Sequence, residues 1–317
     1  MKNILKLAVV LAFFLSGCVM IALPGVEPLK EKSIAGEGKD KILLIDISGI
    51  ITENEDSNVF GVQTKQKITA RVKEEVSRAS EDEDVKAVIL RINTPGGSVT
   101  TCDIIRHEIQ NLKKKRNIPV VAEFMDVAAS GGYYIASAAD VIVAHPTTVT
   151  GSIGVIAFNV NASGLMDKLG LTNQSIKSGD KKDIGTPLRP MTEDERQILQ
   201  SIINGMYDRF LDVILEGRNK SFSREELRKI ADGRIYTASQ AKDLKLVDSI
   251  GYLDDAIEAA KEKAGIKEAR VITYTAPRAY KNNIYSMMEQ PPAEINLINI
   301  DTGFRKPGLS FMYLWMP

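Results

Sequence analysis

A serine sits in the run Asp126-Val127-Ala128-Ala129-Ser130-Gly131-Gly132-Tyr133-Tyr134-Ile135-Ala136 with small residues on both sides. The apolar stretch 119–124 before it reads as a buried strand, and the Ala-rich stretch 133–139 after it as a buried helix. At a strand-to-helix turn the backbone N–H groups of the first helical turn are unpaired and the helix dipole is positive. A serine there offers its oxygen as a nucleophile, with donors ready for an oxyanion. The same string also makes an ordinary helix N-cap followed by a glycine turn, so the residues around it must decide. A second glycine turn, Pro95-Gly96-Gly97, follows the apolar stretch 84–92. In a parallel sheet the ligand crevice lies at the carboxyl ends of the strands, where the N–H groups of Gly97 and Gly131 can converge on one oxygen. A serine also needs a base. His145 directly follows the strand-like stretch 141–144 and His107 falls in mid-helix, so neither suits the turns. A lysine serves if it is neutral, and desolvation lowers a lysine pKa. Lys177, Lys181 and Lys182 are the clustered candidates, and composition alone does not choose among them.

The elements that must position these residues follow from periodicity. Residues 41–51 form an apolar strand, and Ile68, Val72 and Val76 make 65–80 an amphipathic helix. The strand 84–92 leads through the first glycine turn to a helix with Val99, Cys102, Ile105, Ile109 and Leu112 on one face. Cys102 on that stripe is a core thiol, and Lys113 to Arg116 close the helix where cations favour its dipole. Strands 119–124 and 141–144 flank the serine turn. Strand alternating with helix specifies an α/β fold with crossover units and a largely parallel sheet. Beyond lie a Thr/Gly/Ser-rich stretch 147–161, a short helix 162–169 and a polar loop 179–190. Thr192 and Glu195 form a capping box that opens a long helix to residue 219, and Ser223 with Glu226 repeats the pattern. Residues 253–264 are helical and 269–275 make a last strand.

The 317 residues carry 41 Lys+Arg against 41 Asp+Glu, and no basic patch interleaved with aromatics points to nucleic acid. Two cysteines, Cys18 and Cys102, and two histidines give neither a disulfide framework nor metal-ligand spacing, so neither metal nor cofactor is expected. The start, with Lys2, Lys6 and an apolar run ending in Leu15-Ser16-Gly17-Cys18, is too short to span a bilayer and fits a cleaved export signal. Small residues just before a cysteine resemble a bacterial lipobox, which makes Cys18 the lipid-modified first residue. The expected divisions are a lipoprotein signal peptide over 1–17, a linker over 18–40, one catalytic domain over 41–275 and a tail over 276–317.

Four ordered motifs, Asn93-Thr94-Pro95-Gly96-Gly97, Ala129-Ser130-Gly131-Gly132-Tyr133-Tyr134, Thr150-Gly151-Ser152-Ile153-Gly154-Val155 and Lys177-Ser178-Gly179-Asp180-Lys181-Lys182-Asp183, together resemble the signal peptide peptidase A family. These are Ser/Lys proteases of the Clp/crotonase fold, built of repeated β-β-α crossover units. The resemblance covers roughly residues 41–275, with a single catalytic unit per chain. It implies Ser130 as nucleophile, Lys182 as general base, Gly97 and Gly131 as oxyanion donors, and Ser152 as the residue that orients the lysine. A one-residue shift in the loop would exchange Lys182 for Lys181. The resemblance further implies a ring, a homo-octamer for single-unit chains, in which serine and lysine of one site come from neighbouring copies. It implies peptide substrates, cleaved signal peptides and other short or unfolded apolar segments. Many members have a transmembrane anchor, whereas here the lipobox-like start replaces it, so the catalytic domain is expected outside the cytoplasm, lipid-anchored to a membrane of the bacterial cell envelope.

Three other functions compete with this one. A Clp-type Ser-His-Asp protease and a crotonase-like acyl-CoA enzyme share the fold, although an export signal disfavours CoA chemistry. A non-catalytic membrane-tethered scaffold would tolerate replacement of Ser130. The apolar stretch 311–315 at an otherwise polar chain end is expected to dock into a groove of its own or a neighbouring subunit, as a built-in product or inhibitor.

Overall fold

The computed structural model describes residues 29–53, 68–218, 221–275 and 310–316. The export segment and Cys18 lie outside the described residues. The elements run β1 (Lys30–Ala35), β2 (Lys41–Ser48), α1 (Ile68–Glu81), β3 (Val85–Thr94), β4 (Gly96–Ser98), α2 (Val99–Arg116), β5 (Val120–Ala129) and α3 (Gly131–Ala136). They continue through β6 (Val141–Ala144), β7 (Val149–Gly151), β8 (Ile156–Phe158), α4 (Ser163–Lys168), α5 (Glu193–Gly217) and α6 (Arg224–Ile230). The last are β9 (Ile235–Thr237), α7 (Ala238–Asp243), β10 (Ser249–Ile250), α8 (Leu253–Ala264), β11 (Arg270–Thr275) and β12 (Ser310–Leu314).

The main sheet has the order β1-β11-β2-β3-β5-β6-β10, with β7 joined to β5 and β9 to β7. From β11 to β10 every pairing is parallel, as crossover helices require. Both faces are covered, which is why β2, β3 and β5 read as unbroken apolar runs. Leu43, Ile45, Val88, Leu90, Ala122 and Phe124 face the larger core with α1, α2, α3 and α5. Ile42, Leu44, Ala87, Ile89 and Val121 face α8 through Leu253, Ala256, Ile257 and Ala260. This is an α/β fold with crossover units and a largely parallel sheet, as expected.

β5 runs further than its apolar start. Its first part pairs with β6, and Val127, Ala128 and Ala129 pair instead with Val149, Thr150 and Gly151 of β7. β3 likewise continues to Thr94, with an irregularity in register between Ile92 and Thr94. The extra length carries both glycine turns past the end of β6, to one edge of the molecule.

Two expected divisions need correction. The segment 18–40, read as a linker, contains β1, which adds to the sheet antiparallel to β11. Its sequence is polar because it is an edge strand. Gly36 and Gly38, at φ of 69° and 118°, turn the chain back into β2, and Lys41 pairs with Glu31 and Asp82 at 2.9 and 2.8 Å. The segment 276–317, read as a tail rather than part of the domain, contains β12, the middle strand of a separate sheet in the order β4-β12-β8.

Candidate active site

Ser130 joins β5 to α3 with φ 51° and ψ −111°. A side chain in that left-handed region is strained, and such strain persists only where the surroundings over-determine it. Here two hydrogen bonds pin the turn: Ser130 N–H donates to Gly151 O at 2.8 Å, and Tyr134 N–H donates to Ser130 O at 2.9 Å. The serine is 1% exposed, and among the described residues its Oγ has no hydrogen-bond partner. A buried hydroxyl left alone is costly, so the site is built to receive another group.

The two glycine turns do meet. A Cβ on Gly96 would lie 2.8 Å from Gly131 N, and one on Gly131 would lie 3.1 Å from Gly97 N. The same Gly131 position is 2.5 Å from the sulfur of Cys102, so the turn rests directly on the core thiol. Burial pushes that thiol's pKa far up, and it stays protonated and inert. Gly97 is equally crowded, its Cβ position being 2.0 Å from Ile51 O. Only glycine lets the backbones approach so closely. Ser152 follows Gly151, whose partner across the ladder is Ala129, so Ser130 and Ser152 leave neighbouring strand ends together. Ser152 also has positive φ, 48°, and its N–H donates to Arg234 O at 2.7 Å.

The lysines are elsewhere. Residues 167–182 are exposed throughout, and Leu165, Leu169, Leu171 and Ile176 present large apolar side chains to solvent. Lys177 pairs with Asp183 at 2.9 Å, and Lys181 pairs with Asp194, whose hydrogen bond raises its pKa. Lys182 is exposed and makes no side-chain hydrogen bond or ion pair among the described residues. Among the described residues of one chain, therefore, no lysine is hydrogen-bonded to Ser130. Nor is a histidine: His107 is exposed and bonded to Asn111, and His145 follows Ala144, which pairs with Phe124 well upstream of Ser130. The Ser-His-Asp alternative is not assembled.

The groove above Ser130 is occupied by the chain's own end. β12 runs antiparallel to β4, with Tyr313 opposite Gly97 and Leu314 opposite Gly96, and Trp315 N–H donates to Pro95 O at 2.8 Å. On its other side Phe311 faces Ala157 and Met312 faces Ile156 of β8. The Tyr313 carbonyl oxygen lies 1.9 Å from the Cβ position of Gly96 and 3.1 Å from that of Gly131. That oxygen occupies the space onto which the two glycine turns converge. The Tyr313 side chain is fully buried, stacked on Tyr134 at 4.8 Å and 23° and tilted against Phe210 at 4.6 Å, and its hydroxyl donates to Met206 O at 2.9 Å. Beyond Leu314 a cavity of about 490 Å³ opens, lined in part by Ser152, Asn204, Asp232 and Trp315. The aromatic pocket is a feature that periodicity hides, because Met206 and Phe210 read as the ordinary core face of a long helix. The aromatic character of the chain end was the signal available for it.

A strained, buried serine at a strand-to-helix turn, beside two converging backbone turns and a peptide strand laid across them, defines a serine peptidase. The family model of peptidase family S49 matches residues 112–267. A protein of Enterococcus faecium provisionally named signal peptide peptidase SppA is 37% identical over 262 residues, 82% of this chain and 74% of that one. Protease 4 of Haemophilus influenzae is 34% identical over 70% of this chain and 35% of its own length. A solved membrane-bound stomatin-specific protease in complex with a substrate peptide superposes with a TM-score of 0.46 at 17% identity, covering 79% of this chain and 98% of that one. The chain belongs to peptidase family S49.

Proposed function

We propose that this protein is an endopeptidase that binds apolar peptides as an added β-strand and cleaves them with Ser130 and Lys182. The observation that carries this reading is β12: a peptide segment lies antiparallel on Gly96–Ser98 with a carbonyl oxygen at the meeting point of the two glycine turns. Strand addition supplies affinity through the main chain, and alternate side chains enter pockets, as Tyr313 does between Tyr134 and Phe210.

In the proposed reaction neutral Lys182 removes the Ser130 proton as Oγ attacks the peptide carbonyl. The tetrahedral oxygen rests on the N–H groups of Gly97 and Gly131, and the protonated lysine then gives its proton to the leaving amine. Water, activated by the same lysine, releases the acyl group from Ser130. Lys182 is favoured over Lys181 because Lys181 is held protonated by Asp194. A protonated amine cannot act as a base.

The lysine comes from a neighbouring copy in this reading. Ser130 lacks a partner within the described chain, and Lys182 stands on an exposed arm with apolar residues facing outward. An arm of that character fits burial against a second subunit, and Ser152 with the adjoining cavity lies where the incoming lysine would be received. Closing this contact around an axis gives a ring, proposed as a homo-octamer. The lipobox-like Leu15-Ser16-Gly17-Cys18 adds a lipid anchor at Cys18 and places the catalytic domain outside the cytoplasm, on the bacterial cell envelope. Cleaved signal peptides, short and apolar, are the proposed substrates, and the C-terminal strand is a built-in product or inhibitor.

The test is hydrolysis of a small apolar peptide ester by the mature protein. Activity is expected to vanish in Ser130→Ala and Lys182→Ala and to survive in Lys181→Ala. Full activity in Lys182→Ala would move the base elsewhere and overturn the mechanism.

A further inference from the structure

The loop that carries Lys182 has almost no apolar anchorage, because residues 167–182 are exposed. A general base must nevertheless be held to within a fraction of an ångström of its target. What holds this loop is ionic, and it converges on one place, the first turn of α5. Arg189 is the hub. Its Nε and Nη2 donate to the two carboxylate oxygens of Asp183 at 3.1 and 2.6 Å, and its Nη1 and Nη2 donate to those of Glu195 at 2.9 and 2.5 Å. Asp183 is the residue directly after Lys182, and Lys177 grips it from the other side at 2.9 Å. Glu195 is buried and accepts from Thr192 N–H at 3.0 Å in the capping box, so it is itself fixed to the helix. Lys181, the residue before Lys182, is tied to Asp194 in the same first turn.

Both neighbours of Lys182 are thus clamped to one helix end, while Lys182 is left without an ionic partner among the described residues. Backbone bonds between residues three apart fold the turn, with Lys182 N–H donating to Gly179 O at 3.1 Å and Ile184 N–H to Lys181 O at 3.2 Å. The planar guanidinium matches two carboxylates at once, which an ammonium cannot do.

We propose that Arg189 is a positioning residue for catalysis, holding Asp183 and Glu195 together so that the adjacent Lys182 is presented in one orientation. The inference rests on Lys182 being the base. Glu195 is buried and Arg189 only partly exposed, so loss of the guanidinium also lowers the melting temperature, and the positioning role is read separately, in turnover and its pH dependence. The same charges set the environment of Lys182: Lys177, Lys181 and Arg189 on the positive side, and Asp180, Asp183, Asp194 and Glu195 on the negative. Removing Arg189 leaves Asp183 paired with Lys177 alone. The extra negative charge next to Lys182 favours its protonated form, and the acid limb of the kcat–pH profile moves to higher pH.

The experiment measures kcat, KM, the pH profile, assembly size and thermal melting for wild type, Lys182→Ala, Arg189→Ala, Arg189→Lys and Asp183→Asn. Arg189→Ala is expected to lose tenfold or more in kcat with KM within about threefold, unchanged assembly and a raised acid limb. Arg189→Lys, which keeps the charge but not the fork, should fall between it and wild type and return the acid limb toward the wild-type position. If Arg189→Ala does not assemble, Arg189→Lys and Asp183→Asn carry the test through their kcat alone. Wild-type kcat in Arg189→Ala, or a loss of kcat with an unmoved acid limb, overturns the inference while an inactive Lys182→Ala leaves the proposed dyad standing. An active Lys182→Ala removes the dyad itself, and this inference with it.

Discussion

Removing the C-terminal strand should open the active site, and the structure sets the scale. Tyr313 is fully buried between Tyr134 and Phe210 and hydrogen-bonded to Met206 O. Truncating a buried aromatic to alanine costs about 3–5 kcal/mol, so Tyr313→Ala should shift the docked-to-open ratio of the strand by roughly two to four orders of magnitude. Losing the hydroxyl alone, in Tyr313→Phe, removes one hydrogen bond worth about 0.5–1.5 kcal/mol, a factor of roughly two to twelve. Because the strand and a substrate compete for the same edge of β4, the change belongs in kcat/KM at low substrate, while kcat at saturation stays at the wild-type value. The assay is the initial rate on a fluorogenic apolar peptide. The expected order is deletion of 310–317 at or above Tyr313→Ala, then Tyr313→Phe, then wild type. A synthetic peptide of residues 310–316 should inhibit the truncated enzyme competitively. Mass spectrometry of wild type beside Ser130→Ala separates product from inhibitor, since a shortened C-terminus confined to the active enzyme means self-cleavage. Unchanged kcat/KM in the truncated enzyme, together with identical C-termini, would refute the reasoning.

Two further outcomes follow from positions around the site. Gly131→Ala forces a Cβ to 2.5 Å from the Cys102 sulfur and so shifts the proposed oxyanion donor, and kcat is expected to fall by about 10²–10³, read by single-turnover acylation of Ser130. Glu123, whose carboxylate oxygens have no hydrogen-bond partner among the described residues, has its pKa raised by burial to about 7 from an ordinary 4.5, with Arg91 opposing the rise. A raised carboxyl pKa means the fold binds a proton that the unfolded chain releases, so the stability it contributes is full below pH 4.5 and is lost as pH rises through about 7. The loss is on the order of 3 kcal/mol, and Glu123→Gln should flatten urea-unfolding stability between pH 5 and 8, whereas the same slope in both proteins would contradict it.

Much of this was legible in the chain. Strands buried on both faces announce themselves as apolar runs, so β2, β3, β5 and β6 fall where the sequence puts them. Both capping boxes that open α5 and α6 are present as their Thr192/Glu195 and Ser223/Glu226 spacing specifies. The two glycine turns were readable as well, because close backbone approach needs glycine at those points. The rest depended on tertiary context. β1, Lys-Glu-Lys-Ser-Ile-Ala, is a polar edge strand held by its ladder with β11 rather than by its own pattern. β12 lies far from its partners in sequence, and its strand state comes from β4 and β8 on either side. The extension of β5 past Phe124 is decided by pairing with β7, which places Ser152 beside Ser130. Spacing does not separate Lys181 from Lys182, because what distinguishes the two adjacent lysines is a tertiary contact, the ion pair of Lys181 with Asp194.

The central claim is a Ser130/Lys182 dyad shared between copies of the chain. Its most direct test is an equimolar mixture of the Ser130→Ala and Lys182→Ala proteins, dissociated and reassembled together and assayed on an apolar peptide ester. Each variant alone should be inactive. The mixture should recover a fraction of wild-type activity, because some interfaces pair an intact serine with an intact lysine. No recovery in a mixture shown to have exchanged subunits would contradict a dyad built across the interface.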